Sequence, residues 1–210
     1  RMPEGQSKIY YITADSPAAA RHSPHLEIFK KKDIEVLLLS DRVDEWLVNH
    51  LTEYKEKPWQ SVAKGALDLG ELADKDEKED KEKSAEEHKP LLERVSKVLD
   101  GKVKEVRVSN RLTDSPACLV VDEHDMSANL ARVLKSVGQD APQIQPIMEL
   151  NVDHPLLKRL DAEPDEDRFA DLSTILFDQA LLAEGGQLDD PASFVARLNQ
   201  LMLNMMLSGP

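Results

Sequence analysis

Strand-like apolar runs alternate with segments of helical spacing through the first 72 residues. The strand-like runs are rich in β-branched, aromatic or aliphatic residues and lie at 8–14, 34–39 and 60–63. The middle run, IEVLLL, is continuously apolar, as is typical of a strand covered on both faces. Helical segments follow the first two runs, and Ser16-Pro17 opens the first by the cap-then-proline rule. This order predicts a small parallel sheet with right-handed crossovers, that is, a small α/β sandwich.

The second helical segment, at 41–54, has its apolar residues on one side. These residues are Val43, Trp46, Leu47, His50 and Leu51. A Trp that follows two carboxylates, Asp44 and Glu45, is a candidate for a partly exposed binding residue.

Composition changes abruptly after residue 72, because residues 73–89 are nearly all charged and lack a core face. Beyond them, helical spacing at 91–99 precedes strand-like runs at 106–109, 117–121 and 147–150. We therefore predict three segments: a small α/β unit at 1–72, a charged linker or helix start at 73–89, and a mixed α+β domain at 90–210.

A helix with one apolar stripe is predicted between the last two of these strands. The stripe consists of Met126, Leu130, Val133, Leu134 and Val137. Core packing is its default interpretation, and an adaptable apolar binding surface is the alternative, since methionine tolerates many partners.

Two apolar helices end the chain. The first spans 165–184 and stops before Gly185-Gly186, and the second spans 190–207 with Asp190 as N-cap and Pro191 as its first residue. Each buried apolar side chain contributes about 1.5–3 kcal/mol, whereas joining two bodies costs about 4–15 kcal/mol. The burial energy of one such helix is only comparable to the cost of association. We therefore predict that the helix pair forms a four-helix bundle with the pair of a second copy. The alternative is a hairpin folded onto its own domain. The predicted interface residues are Leu172, Ile175, Leu176, Gln179, Phe194, Leu198, Leu201, Met202 and Met205.

Charge and cysteine content narrow the class of protein. The 210 residues include 27 Lys and Arg against 40 Asp and Glu, which gives a formal net charge of -13 and argues against nucleic-acid binding. No apolar run approaches the ~18–20 residues of a membrane span. The single cysteine, Cys118, excludes an internal disulfide and a Cys-based zinc cluster. We therefore predict a cytoplasmic protein with no nucleic-acid and no membrane partner.

No motif for catalysis or cofactor binding emerges. Gly65 and Gly70 have the spacing of a P-loop start, but Glu71 and Leu72 follow where Lys and Ser or Thr are needed. His22 and His25, and separately residues 122–125, form no recognised metal motif. There is no G-x-S-x-G elbow, and Cys118 lies within an apolar strand, where a thiol is inert. The sequence thus predicts no catalytic, cofactor-binding or metal-binding residue in this chain.

Long stretches of the chain resemble the heat-shock protein 90 family. RMPEGQ (1–6), IYYIT (9–13), IEVLLL (34–39) and DEW (44–46) resemble its middle domain. RLTDSPA (111–117), ELN (149–151), HP (154–155) and DQALLAE (178–184) resemble its C-terminal domain. The match covers essentially the whole chain. The end of the sequence, without an acidic MEEVD-type tail, is similar to the bacterial HtpG type.

The resemblance implies a molecular chaperone fragment that provides homodimerisation and client binding. The ATPase domain, with ATP and Mg as its cofactors, would lie upstream of Arg1, so the fragment itself would hydrolyse no ATP. Its partners would be a second copy, unfolded or partly folded clients, and the heat-shock protein 70 system. The implied client-binding residues are Glu45, Trp46, Met126, Leu130, Val133 and Leu134. The family often has a second Met and an aromatic residue in the helix that is predicted around Met126–Val137. This chain has Leu130 and Leu134 at those positions.

Two other classes of function remain open at this point. One is a small α/β enzyme domain that binds a nucleotide or metabolite and has a dimerisation module. The other is a purely structural dimer module that binds no client.

Overall fold

The first half of the chain folds around a four-stranded sheet in order β2-β1-β4-β3. The computed structural model describes residues 2–72, 83–136, 138–140 and 144–207. The strands are β1 (Ile9–Thr13), β2 (Val36–Leu39), β3 (Glu53–Tyr54) and β4 (Lys57–Ser61), and the helices are α1 (Pro17–His22), α2 (Glu27–Lys31) and α3 (Asp44–His50). Strands β2, β1 and β4 are parallel, as predicted, but β3 pairs with β4 antiparallel, so the sheet is mixed. Its core contains Tyr10, Ile12, Leu26, Phe29 and Val62.

Local chemistry sets the ends of these elements. The Ser16 side chain accepts a hydrogen bond from the Ala19 amide and caps α1, but Pro24 starts a 3-10 turn that separates α1 from α2. The segment after Ser16 is therefore two short helices and not one. The helix predicted at 41–54 is shorter in the structure: α3 ends at His50, since Leu51 has a ψ of 88° and leaves the helical conformation. Lys55 and Glu56 then take positive φ values of 49° and 62° and form the turn of the β3–β4 hairpin.

The prediction that residues 34–39 form a strand covered on both faces is wrong. Strand β2 lies at the edge of the sheet, and Leu37 and Leu38 keep 37% and 38% of their surface exposed. A continuous apolar run therefore does not by itself place a strand in the middle of a sheet.

The second half is built around a three-stranded sheet in order β5-β7-β6. The strands are β5 (Glu105–Val108), β6 (Ala117–Val120) and β7 (Ile147–Leu150), and the helices are α4 (Lys89–Val98), α5 (Ala128–Ser136), α6 (Pro155–Asp161), α7 (Glu166–Ala183) and α8 (Pro191–Leu207). Strand β5 is parallel to β7, and β6 is antiparallel to it. Helices α4, α6 and α7 cover one face through residues such as Leu91, Leu157, Phe169 and Leu176. The predicted mixed α+β architecture of this half is confirmed.

Polar contacts join the two halves. The Arg111 guanidinium is fully buried, donates through Nη2 to the Gly65 carbonyl at 2.7 Å and also binds the Val62 carbonyl through Nη1. The same guanidinium donates through Nε to Glu149 Oε2 at 2.8 Å. The Glu27 carboxylate accepts hydrogen bonds from the amides of Thr113 at 2.6 Å and Asp114 at 2.8 Å. The predicted linker lies largely outside the described residues, which resume at 83, and the three-segment division stays a prediction.

The terminal helices begin where the sequence predicts, and an aspartate caps each of them. Asp165 accepts from the Arg168 amide at 3.0 Å, and Asp190 accepts from the Ser193 amide at 3.0 Å. Helix α8 packs along α7, and Arg197 Nε lies 3.2 Å from Asp171 Oδ1. Among the described helices, none combines the length and apolarity needed to cross a bilayer.

Candidate functional site

Helix α3 turns its apolar side towards solvent. The Asp44 carboxylate accepts from the Asp41 amide at 2.9 Å and holds the first turn. Val43, Trp46 and Leu47, which lie on the predicted apolar side, keep 68%, 47% and 44% of their surface exposed. The residues that share one side of the predicted helix therefore form a surface patch, and the partial exposure expected for Trp46 is confirmed. We call Val43, Trp46 and Leu47 the α3 patch.

Glu45 points the other way and is only 3% exposed. Its Oε2 accepts from Ser127 Oγ at 2.8 Å, and its Oε1 accepts from Asn129 Nδ2 at 2.7 Å. Both partners lie at the start of α5. The implied direct contact of this carboxylate with a client stays a prediction, but the carboxylate is covered in the single chain.

A cationic group faces the Glu45 carboxylate. Lys64 Nζ donates to the Asp125 carbonyl at 2.6 Å and lines, with Tyr11, Glu45 and Leu130, a cavity of about 10 Å³, room for at most one water. Burial lowers the pKa of Lys64, and the nearby Glu45 and Asp125 carboxylates oppose that shift. Burial, followed by the negative charge of Glu45, raises the pKa of Tyr11. The cavity between α3 and α5 is thus small, and charged side chains form part of its lining.

Helix α5 has several anchors besides Glu45. Ser127 caps its N-terminus, because Ser127 Oγ accepts from the Leu130 amide at 3.0 Å. Arg132 donates to the Glu184 carbonyl at 2.9 Å and to Asp15 Oδ2 at 3.1 Å. The four residues that the resemblance assigns to this client surface are all half-buried: Met126, Leu130, Val133 and Leu134. The structure therefore joins the two predicted client-binding segments through Glu45, Ser127 and Asn129.

Some apolar residues of the C-terminal helix pair are buried within the chain, and others are exposed to solvent. Ile175 and Leu176 are buried within the single chain, whereas Gln179 is exposed. Leu172, Phe194, Leu198 and Leu201 are half-buried. Solvent reaches Val195 (51%), Met202 (47%), Leu203 (52%) and Met206 (79%) on α8, which we call the α8 stripe. The side chain of Met205, also predicted at the interface, lies outside the described residues.

The residues considered for metal binding are not brought together. His25 is fully buried, with Nε2 2.8 Å from Glu184 Oε1, while His22 is exposed. In the part of the chain that the structure describes, no three His, Cys, Asp or Glu residues form a metal-binding group. Cys118 is buried, as predicted, and burial raises the pKa of its thiol well above the usual value.

Comparison with known proteins identifies the family. The family model described as Hsp90 protein matches residues 1–208. The chain belongs to the Hsp90 family. Among its Hsp90 relatives is the chaperone protein HtpG of Nitrosospira multiformis, 62% identical over 204 residues, which are 97% of this chain and 32% of the relative.

Other Hsp90 relatives agree in identity and extent. The chaperone protein HtpG of Dechloromonas aromatica is 62% identical over 97% of this chain and 32% of the relative. That of Alkalilimnicola ehrlichii is 56% identical over 100% of this chain and 32% of the relative. The resemblance to bacterial HtpG chaperones is therefore confirmed, and the chain spans about a third of the length of the curated relatives it matches.

Sequence reasoning missed the residues that hold this surface together. Ser127 carried a usable signal, since a serine near the start of a predicted helix is a frequent capping residue. Asn129 and Lys64 carried none, because their contacts reach across the chain: Asn129 lies 84 residues from Glu45, and Lys64 lies 61 residues from Asp125.

Proposed function

We propose that this chain provides homodimerisation and client binding to an ATP-driven chaperone whose ATPase domain belongs to another part of the full-length protein. Membership of the Hsp90 family supports this function, as does the chain's coverage of only about a third of its chaperone relatives. On this proposal the chain itself hydrolyses no ATP and works in the cytoplasm.

The observation on which the client-binding proposal rests is the exposed α3 patch beside α5. Large apolar side chains that stay in solvent next to a half-buried apolar helix are typical of protein-binding surfaces. An aromatic residue such as Trp46 is a frequent source of binding energy at such surfaces. The patch consists of three side chains, which suits weak capture of extended apolar segments of an unfolded client.

The dimerisation proposal rests on the α8 stripe. Full burial of an apolar side chain contributes roughly 1.5–3 kcal/mol, and three of these four residues are already about half covered. Covering the stripe with a second copy would therefore contribute about half of that amount for each of these three residues, and more for Met206. A two-fold axis would bring two copies of α7 and α8 into a four-helix bundle, with Gln179, Leu172, Phe194, Leu198 and Leu201 at its margin. Ile175 and Leu176 would support the bundle from inside each chain.

The client-binding proposal is tested with a permanently unfolded probe, fluorescently labelled reduced carboxymethylated α-lactalbumin. We expect Trp46→Ala to weaken the anisotropy-measured affinity about tenfold, the change that follows from losing a central aromatic contact of about 1.4 kcal/mol. Leu156→Ala is the matched control, because Leu156 is 51% exposed on α6, away from the patch. Equal affinities for Trp46→Ala and the unaltered chain would favour a purely structural dimer module.

Nucleotide titration separates the proposal from the enzyme alternative. Isothermal titration of this chain with ATP and ADP should give no saturable heat. Stoichiometric binding of either nucleotide would instead support a small α/β nucleotide-binding domain.

A further inference from the structure

The Glu45 carboxylate occupies a position that a client cannot reach while α3 and α5 stay in contact. Only 3% of the residue is exposed, and both carboxylate oxygens already accept a hydrogen bond from the start of α5. The next residue, Trp46, is 47% exposed. Two neighbouring residues of one helix thus have opposite environments.

We infer that Glu45 is a positioning residue: it serves client binding by fixing the N-terminus of α5 against α3, and not by touching the client. This inference rests on the proposed client-binding function. It assigns to Glu45 a role different from the client contact that the family resemblance implies.

The hydrogen bonds show how the carboxylate acts on α5. Ser127 both donates to Glu45 Oε2 and caps the helix by accepting from the Leu130 amide. Asn129, in the first turn, donates to Glu45 Oε1 and accepts from Arg132 Nη2 at 3.3 Å. A carboxylate placed at a helix N-terminus also interacts favourably with the helix dipole. Glu45 therefore fixes the cap and the first turn of α5 at once.

The backbone of α3 makes this anchor rigid. Asn49 Nδ2 donates to the Glu45 carbonyl at 2.7 Å, and the Leu51 amide closes the helix on Leu47. Because Glu45 and Trp46 are adjacent on this short helix, fixing Glu45 against α5 also sets the distance from Trp46 to Met126 and Leu130. Loss of the carboxylate would leave the apolar residues present but no longer held in one arrangement.

A double-mutant cycle separates positioning from contact. Glu45→Ala is made in the unaltered chain and in a chain carrying Ser127→Gly and Asn129→Ala; Gly is chosen because it is tolerated as an N-cap. With the labelled α-lactalbumin probe, we expect Glu45→Ala to weaken affinity about tenfold in the first background and less than about threefold in the second. The same fold-loss in both backgrounds would overturn the inference, because a direct contact would not depend on Ser127 and Asn129.

Hydrogen exchange provides a second readout that needs no client. Without probe, Glu45→Ala should speed amide exchange in α5 (Ala128–Ser136) about tenfold, with much less change in α6 (Pro155–Asp161). Unchanged exchange in α5 would overturn the inference, even if client affinity fell. If the unaltered chain bound no client at all, the proposed function would fail, whereas the exchange result would still decide whether Glu45 positions α5.

Discussion

Arg111 and Glu149 form a buried ion pair. The pair links the loop after β5, strand β7 and the segment after β4 that contains Val62 and Gly65. Arg111 is 0% and Glu149 2% exposed, and Arg107 adds a second guanidinium with Nη2 2.7 Å from Glu149 Oε1. Burial alone would raise the pKa of Glu149, but the charges and hydrogen bonds of Arg111 and Arg107 outweigh burial and lower it. Because Arg111 also binds two carbonyls of the first half, this pair holds the two sheets in one arrangement.

Removing one member of the Arg111–Glu149 pair should therefore lower the free energy of unfolding substantially. We expect Arg111→Met to lower the free energy of unfolding by about 3–5 kcal/mol, since it leaves buried carbonyls unpaired and Glu149 with one guanidinium. Urea denaturation followed by circular dichroism measures this change. Lys158→Met is the control: Lys158 Nζ lies 3.6 Å from Asp153 Oδ1 and both side chains are exposed, where such pairs contribute less than about 1 kcal/mol. A loss of under 1 kcal/mol for Arg111→Met would contradict the structural role of the pair.

Glu27 makes the second connection between the halves, and its effect depends on pH. Burial raises the pKa of this carboxyl, but hydrogen bonds from the Ser115 hydroxyl and from the amides of Asp114, Thr113 and Ser115 together lower it. A carboxyl with a lowered folded-state pKa stabilises the fold above its unfolded-state pKa of about 4.3, and this contribution disappears as pH falls through the folded-state value.

We expect Glu27→Ala to lower the free energy of unfolding by about 1–3 kcal/mol at neutral pH. The difference from the unaltered chain should shrink steadily below about pH 4.3, because the unaltered carboxylate becomes protonated. Denaturation curves between neutral and acidic pH test both points. A difference that stays constant across this range would show that Glu27 acts through packing and not through its charge.

At the scale of elements, helix α3 separates a buried side with Glu45 from an exposed apolar side. Exposed positions tolerate polar substitution within about 0.5 kcal/mol, whereas truncating a buried leucine costs about 2–5 kcal/mol. We therefore expect Leu47→Gln to change the free energy of unfolding by less than about 0.5 kcal/mol. The comparison is Leu157→Ala, at a fully buried leucine of α6. A loss of several kcal/mol for Leu47→Gln would place α3 with its apolar side inward.

The same helix shows what periodicity predicts and what it does not. Spacing correctly placed Val43, Trp46 and Leu47 on one side, but it could not say that this side faces solvent. The β3–β4 hairpin escaped prediction because its turn residues, Lys55 and Glu56, take positive φ without the usual Gly or Asn. Strand β7 and helices α7 and α8 were predicted well, since their caps and apolar runs are local signals.

The candidate site was predictable only in part, for a related reason. Resemblance to the family implied client contacts at Glu45 and Trp46 of α3 and, separately, on the apolar stripe of α5, and these contacts stay a prediction. The hydrogen bonds that join them connect Glu45 to residues more than 80 positions away, as do those between Glu27 and Thr113. Such pairs depend on the tertiary fold, so no spacing in the sequence reveals them.

At the scale of the whole molecule, polar contacts anchor the two halves to each other, and two of the exposed apolar surfaces carry the proposed functions. The first is the α3 patch, next to α5, and the second is the α8 stripe at the end of the chain. A formal net charge of -13 opposes non-specific aggregation through such exposed apolar surfaces. In the proposed account, a client covers the first surface and a second copy covers the other.

The central claim is tested most directly by sedimentation equilibrium of the intact chain and of two charge variants on α8. Met202→Glu puts a carboxylate in the α8 stripe, where it is solvated in a monomer but buried and unpaired in a dimer. Gln200→Glu adds the same charge at an exposed position on the opposite side of the helix. We predict dimers for the intact chain and Gln200→Glu, and monomers for Met202→Glu. An intact chain that stays monomeric, or a Met202→Glu variant that dimerises as strongly as the intact chain, would contradict the account.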